Sequence, residues 1–162
     1  MDNVFYLRSK KNFGREFTSK GYMRNRKINI VLVEDHALVR AGLKTLLSLN
    51  SDYNIVGEAE DGLAGIRCIL EHTPNLALID LRLPKKNGLE VISEIKKRSP
   101  GIKIIALTAH KSEDIVHAAL EAGANGYVSK DATKKELDIA INSIFEGKTY
   151  LCPAVSGKVV ER

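Results

Sequence analysis

Glu34, Asp35, Asp80, Thr108 and Lys130 are the residues of this sequence best equipped for chemistry. Each follows a short apolar run. Ile28-Asn29-Ile30-Val31-Leu32-Val33 leads into Glu34-Asp35, and Leu76-Ala77-Leu78-Ile79 leads into Asp80. Ile102 to Ala106 continues through Leu107 to Thr108, and Gly126-Tyr127-Val128 through Ser129 to Lys130. A carboxylate at the end of a buried strand is costly unless something there uses or pairs its charge. Three carboxylates side by side repel one another, and a hard divalent cation such as Mg²⁺, which prefers oxygen ligands, removes that repulsion. An ammonium and a hydroxyl nearby add what a transferring phosphoryl group needs: positive charge and a hydrogen-bond donor around its oxygens. Asp80 is the best nucleophile of the set, since a carboxylate can accept phosphoryl as an aspartyl phosphate. Taken singly these residues say less. Glu34-Asp35 alone reads equally as a polar strand end capping the next helix, and a lone Thr108 or Lys130 reads as surface.

The intervening segments explain how such distant residues would meet. Val39, Leu43, Leu46 and Leu47 recur at helical spacing between His36 and Leu49. Asn54 to Ala59 reads as a short strand. Asp61 can cap a helix to His72 with Ile66, Ile69 and Leu70 inward. Pro84 and Asn87-Gly88 mark the loop after Asp80, followed by a helix from Gly88 to Arg98 that stops before Pro100. Ser112 caps the next helix and Gly123 ends it; Thr133-Lys134-Lys135-Glu136 is a capping box opening a helix that ends at Gly147. Strands alternating with helices predict an α/β fold with a parallel sheet and right-handed crossovers. In such sheets ligands bind beyond the carboxyl ends of the strands, where the five residues above all fall.

Composition sets the limits. The chain of 162 residues is 44% hydrophobic, enough for one core, and no apolar run approaches a membrane span. It begins without an apolar h-region, and Cys68 and Cys152 lie outside any metal-like spacing. A reducing, cytoplasmic setting is therefore the expectation, with both thiols packed or passively exposed. Residues 1–27 carry eight Lys/Arg and two Asp/Glu, a charge of +6, so the rest of this +5 chain is near neutral at −1. The basic isoelectric point of about 9.2 belongs to this leader and does not argue that the body binds nucleic acid. The leader is expected to be poorly ordered, and Met23 is an alternative natural start. Three units follow: leader 1–27, a domain over 28–147, and a tail 148–162 in which Ser156 to Arg162 could begin another helix.

From about Lys27 to Gly147 the chain resembles a response-regulator receiver domain. The stretches VEDHALVRAGLKTLL, EAEDG, DLRLPKKNGLEVI, ALTAH, EAGANGYVSKD and AINSIFEGKTYLCP resemble the NarL/FixJ (LuxR-type) subfamily. The resemblance implies a flavodoxin-like (βα)5 fold, strand order 2-1-3-4-5. It implies that Asp80 is the phosphoacceptor. Glu34, Asp35 and Asp80, with the main-chain carbonyl of Arg82, would hold Mg²⁺. Thr108 and Lys130 would grip the phosphoryl oxygens, and Tyr127 would turn inward as Thr108 shifts. Arg82 and His110, two residues past Asp80 and Thr108, could tune the phosphate lifetime or be ordinary exposed loop residues. Such a protein is a phosphoacceptor in a two-component system, at most a slow self-dephosphorylator, and not otherwise an enzyme. Its partners would be a sensor histidine kinase and an output such as transcription regulation, with homodimerisation an option.

Relatives of this type continue, after such a linker, into a helix-turn-helix. This sequence stops at Arg162, so 148–162 is expected to be a linker or the start of a truncated output domain, with a stand-alone receiver the alternative. DNA contact is expected only through a domain it does not include. Asp131 follows Lys130 where many receivers have Pro, which removes a cis X-Pro bond from that loop. Two rivals share the pattern. A haloacid-dehalogenase-type Mg²⁺ phosphatase would carry a second Asp where this chain has Arg82. A flavodoxin-type binding module, with no phosphorylation, would carry a phosphate-cradling loop after the first strand.

Overall fold

The structure, a computed structural model, describes residues 27–159. The expected leader lies, except for Lys27, outside them. Strands and helices alternate: β1 (Ile28–Val33), α1 (Ala37–Ser48), β2 (Tyr53–Ala59), α2 (Gly62–His72), β3 (Leu76–Asp80) and α3 (Gly88–Arg98). There follow β4 (Lys103–Thr108), α4 (Glu113–Ala122), β5 (Gly126–Ser129), α5 (Lys134–Phe145), β6 (Tyr150–Leu151) and α6 (Pro153–Val159). All strand pairings are parallel, in the order β2-β1-β3-β4-β5-β6. The expected order 2-1-3-4-5 is present, extended by a sixth strand.

β3 sits at the centre and every one of its residues is buried, Asp80 included. Side chains alternate between two apolar clusters. Ala77 and Ile79 face the layer that holds Ile69 of α2, Ile92 and Ile95 of α3 and Val116 of α4. Leu76 and Leu78 face Leu43 and Leu47 of α1 and Leu137, Ile141 and Ile144 of α5. Burial of each such Leu or Ile contributes about 1.5–3 kcal/mol, so the central strand is fixed from both faces. The helices start where local chemistry says they should. Asp61, Asn87 and Ser112 accept hydrogen bonds from the amides of Ala64, Glu90 and Ile115, and Thr133 with Glu136 closes a capping box.

Gly88 shows why the loop after β3 needs its glycine. A Cβ there would meet the Asp80 carbonyl oxygen and lie 2.6 Å from Leu81 Cα, well inside contact distance of backbone that cannot move aside cheaply. Its amide donates to Leu81 O at 3.0 Å, tying the first turn of α3 under the end of β3. Gly88→Ala is expected to destabilise the fold by about 1–3 kcal/mol, read by urea unfolding.

The tail departs from expectation. Tyr150–Leu151 pairs with β5, and α6 begins at Pro153. Proline is well suited to a first helical position because its missing N–H has no partner there. Among the described residues no helix is long and apolar enough to cross a membrane.

Candidate functional site

The parallel sheet carries Glu34, Asp80, Thr108 and Lys130 to one rim, from the ends of β1, β3, β4 and β5. Lys130 Nζ lies 2.7 Å from Asp80 Oδ2 and 2.9–3.1 Å from the Glu34 carboxylate. Glu34 is fully buried and Asp80 only 2% exposed. Two buried carboxylates thus share one ammonium. Asp80 Oδ1 accepts the Arg82 amide at 3.0 Å, so the turn after β3 orients the carboxylate through backbone. The Arg82 side chain points into solvent, as does that of His110.

Glu34 is held from behind. Its carbonyl accepts from Arg40 Nη1 at 2.6 Å, and its Oε1 accepts the His36 amide at 3.1 Å. His36 caps α1 by position but makes no side-chain cap; its Nδ1 instead lies 3.2 Å from Glu34 and 3.1 Å from Asp35. His36 and Arg40 are the site residues that sequence reasoning missed. Their signal was present: a polar residue directly after the acidic pair, and an Arg one helical turn later.

These contacts leave oxygens unused. Glu34 Oε2 and Asp35 Oδ1 are buried and make no hydrogen bond, although Lys130 Nζ lies 2.9 Å from the first and His36 Nδ1 3.1 Å from the second. One ligand atom from each of Glu34, Asp35, His36 and Asp80 falls within 4.8 Å of the others. Orphaned buried carboxylate oxygens grouped in this way suit a hard, oxygen-seeking divalent cation. Burial pushes the Asp80 carboxyl up to about 6, against the opposing Lys130 and Arg82 hydrogen bonds, and the Glu34 charge adds to the rise. Burial alone would lower the Lys130 ammonium, but its bonds to Asp80 and Glu34 raise it. An upward shift on acid and base together is consistent when two acids compete for one cation.

Thr108 and Tyr127 lie beside this cluster. Thr108 Oγ1 accepts the His110 amide at 3.0 Å, and the Tyr127 hydroxyl donates to the His110 carbonyl at 2.6 Å. The Tyr127 ring is fully buried, so the structure has it already seated inward. Burial raises its phenol above the usual range, with Thr108 opposing.

Residues 30–142 match the family described as the response regulator receiver domain. This chain is a member of the response-regulator receiver family. The receiver is 34% identical over 131 residues to a probable transcriptional regulatory protein NarL of Mycobacterium tuberculosis, covering 81% of this chain and 61% of that one. It is 36% identical over 135 residues to the transcriptional regulatory protein LiaR of Bacillus subtilis, covering 83% of this chain and 64% of that one. Against the crystal structure of a LuxR-family two-component response regulator from Aurantimonas sp. SI85-9A1 the TM-score is 0.79 at 33% identity, with 83% of this chain and 96% of that one covered. The chain spans 57–64% of the length of the curated relatives it matches. Receiver domains belong to two-component signalling systems, and the NarL/LuxR-type resemblance read from the motifs holds.

Proposed function

We propose that this receiver accepts a phosphoryl group on Asp80, assisted by Mg²⁺, from a sensor histidine kinase or a small phosphodonor, in the cytoplasm. The observation that carries the reading is the buried Asp80 carboxylate, 2.7 Å from Lys130 and beside two buried carboxylate oxygens without a hydrogen bond. Glu34, Asp35 and Asp80, with the Arg82 main-chain carbonyl, would hold the cation, whose charge offsets the acids and the incoming phosphoryl oxygens. An Asp80 oxygen forms the new bond to phosphorus while the bond to the donor's leaving group breaks. Lys130 then trades its carboxylate partners for the phosphoryl oxygens, which bring a charge of about −1.5 to −2 at neutral pH. The Thr108 hydroxyl supplies a second grip by leaving the His110 amide. Tyr127 follows Thr108 and stabilises the inward arrangement, which an output such as transcription regulation or dimerisation reads. Arg82 and His110, exposed beside the site, are placed to govern access of water to the acyl phosphate.

The test is intact mass after incubation with Mg²⁺ and acetyl phosphate. One added phosphoryl group, lost when the divalent cation is chelated, is the expected result. No adduct, together with no binding of beryllofluoride, would leave an unphosphorylated interaction module. Turnover of an added phosphomonoester would instead favour a phosphatase.

A further inference from the structure

The tail is connected to the site by an unbroken line of hydrogen bonds. Thr108 Oγ1 accepts from His110 N; His110 O accepts from the Tyr127 hydroxyl; Tyr127 O accepts from Cys152 N at 3.0 Å. Tyr127 is therefore held at both ends. Its phenol is tied to the loop that positions Thr108, and its backbone carries the first bond after β6. A second backbone bond, Tyr150 N to Asn125 O at 3.2 Å, fixes the other end of β6 on the β5 edge. Side chains follow the same route. Val155 of α6 is fully buried and Cys152 is 6% exposed, in the apolar cluster that contains Tyr127 and α4's Val116 and Ala119. The inward Tyr127 ring thus shares one packed volume with the tail that covers the β5 edge and approaches α4.

We propose that the seating of segment 150–159 on the β5 edge and against α4 reports the phosphoryl state. The proposal rests on phosphorylation of Asp80, and goes beyond it by naming what the switch first acts on. Drawing Thr108 to the phosphoryl group exchanges its bond to the His110 amide for one to the phosphoryl oxygens and leaves the phenol–His110 bond in place, so the Tyr127 ring stays inward with β6–α6 seated against it. Without the phosphoryl group the inward seat rests on the phenol–His110 bond, and whenever that bond opens the tail loses packing at Cys152 and Val155 together with the order of the Tyr127 backbone. A ligand shifts such an equilibrium only through its differential affinity for the two arrangements, and the coupling is reciprocal. A seated tail must therefore strengthen phosphoryl-site binding by the factor with which site occupancy strengthens seating.

Cys152 supplies the readout. In the full chain with Cys68→Ser, alkylation of the Cys152 thiol would be timed with and without Mg²⁺ and beryllofluoride, whose binding is followed separately by fluorine NMR. Bound beryllofluoride is expected to slow alkylation at least about fivefold. Val155→Asp, which unseats α6, is expected to weaken beryllofluoride binding by a comparable factor. Tyr127→Phe, which cuts the line at the phenol, should speed alkylation without any ligand. Bound beryllofluoride with an unchanged Cys152 rate, or unchanged affinity in Val155→Asp, would overturn the coupling and leave the phosphoacceptor reading standing. Failure of beryllofluoride to bind at all would overturn both.

Discussion

Asp80→Asn is expected to end phosphoryl uptake and yet make the cation-free fold more stable at neutral pH. The carboxylate is buried, shares Lys130 with Glu34, and has its ionisation pushed up to about 6 from an ordinary 3.8. A folded-state value above the unfolded one means that the folded chain holds a proton the unfolded chain has already lost. The penalty for ionising Asp80 is therefore fully present above pH 6. It falls as the pH is lowered through 6 and is gone below about 4. Asparagine carries no such penalty. The variant should exceed the parent by about 1–3 kcal/mol at pH 7.5, and the two should converge near pH 4, as measured by urea unfolding across that range in chelator. Saturating Mg²⁺ should stabilise the parent and narrow the gap, because a ligand that binds only the folded chain adds about 2.7 kcal/mol at a hundredfold its dissociation constant. A variant no more stable than the parent at pH 7.5 would mean that Lys130 already compensates Asp80 completely.

Lys130→Ala should do the reverse. Removing the ammonium leaves Glu34 and Asp80 facing each other in a buried site, with Glu34 fully enclosed. Loss of one partner from a buried ion pair typically costs about 3–5 kcal/mol. Proton uptake by Asp80 limits the loss here, so about 2–4 kcal/mol is expected at pH 7.5 without divalent cation. Mg²⁺ should restore part of it, being able to stand in for the lost charge, while phosphoryl-dependent changes at Tyr127 should vanish even if Asp80 is still modified. Thermal unfolding with and without Mg²⁺ checks the first expectation, and Tyr127 ring resonances with beryllofluoride check the second. Equal losses in both cation conditions would argue that the acids here do not bind the metal.

How far the sequence could be read depended on the range of the interactions involved. The β1, β3 and β4 runs were legible because strands covered on both faces leave uninterrupted apolar stretches, and the polar residue ending each run pointed to the rim. Asp61, Ser112 and Thr133 were legible because a cap is satisfied within three residues of itself. β6 was not. Two residues give no period, and Tyr150–Leu151 becomes a strand only because β5 presents an unpaired edge to it. For the same reason α6 begins at Pro153, three residues before the Ser156 start that the pattern offered. Cys152, read as packed or passively exposed, is buried against the sheet. His36 and Arg40 escaped notice because their importance lies in where Glu34 turns, and the seating of Tyr127 is a rotamer that only the surrounding packing decides.

The all-parallel sheet also governs when the site can come into being. None of its pairs is a hairpin, so no two neighbouring strands can meet before a helix-length crossover has been made between them. Lys130 stands 50 residues from Asp80 and 96 from Glu34 along the chain. During synthesis from the N-terminus, the acids emerge long before the cation that balances them. The central strand would then have to close around unpaired carboxylates, unless they stay protonated or borrow a divalent ion from solution. Contacts spanning such lengths slow folding, and here they also place the last electrostatic correction at the final strands. The charge balance of the site is thus completed only once the last third of the chain has been made and folded onto the first.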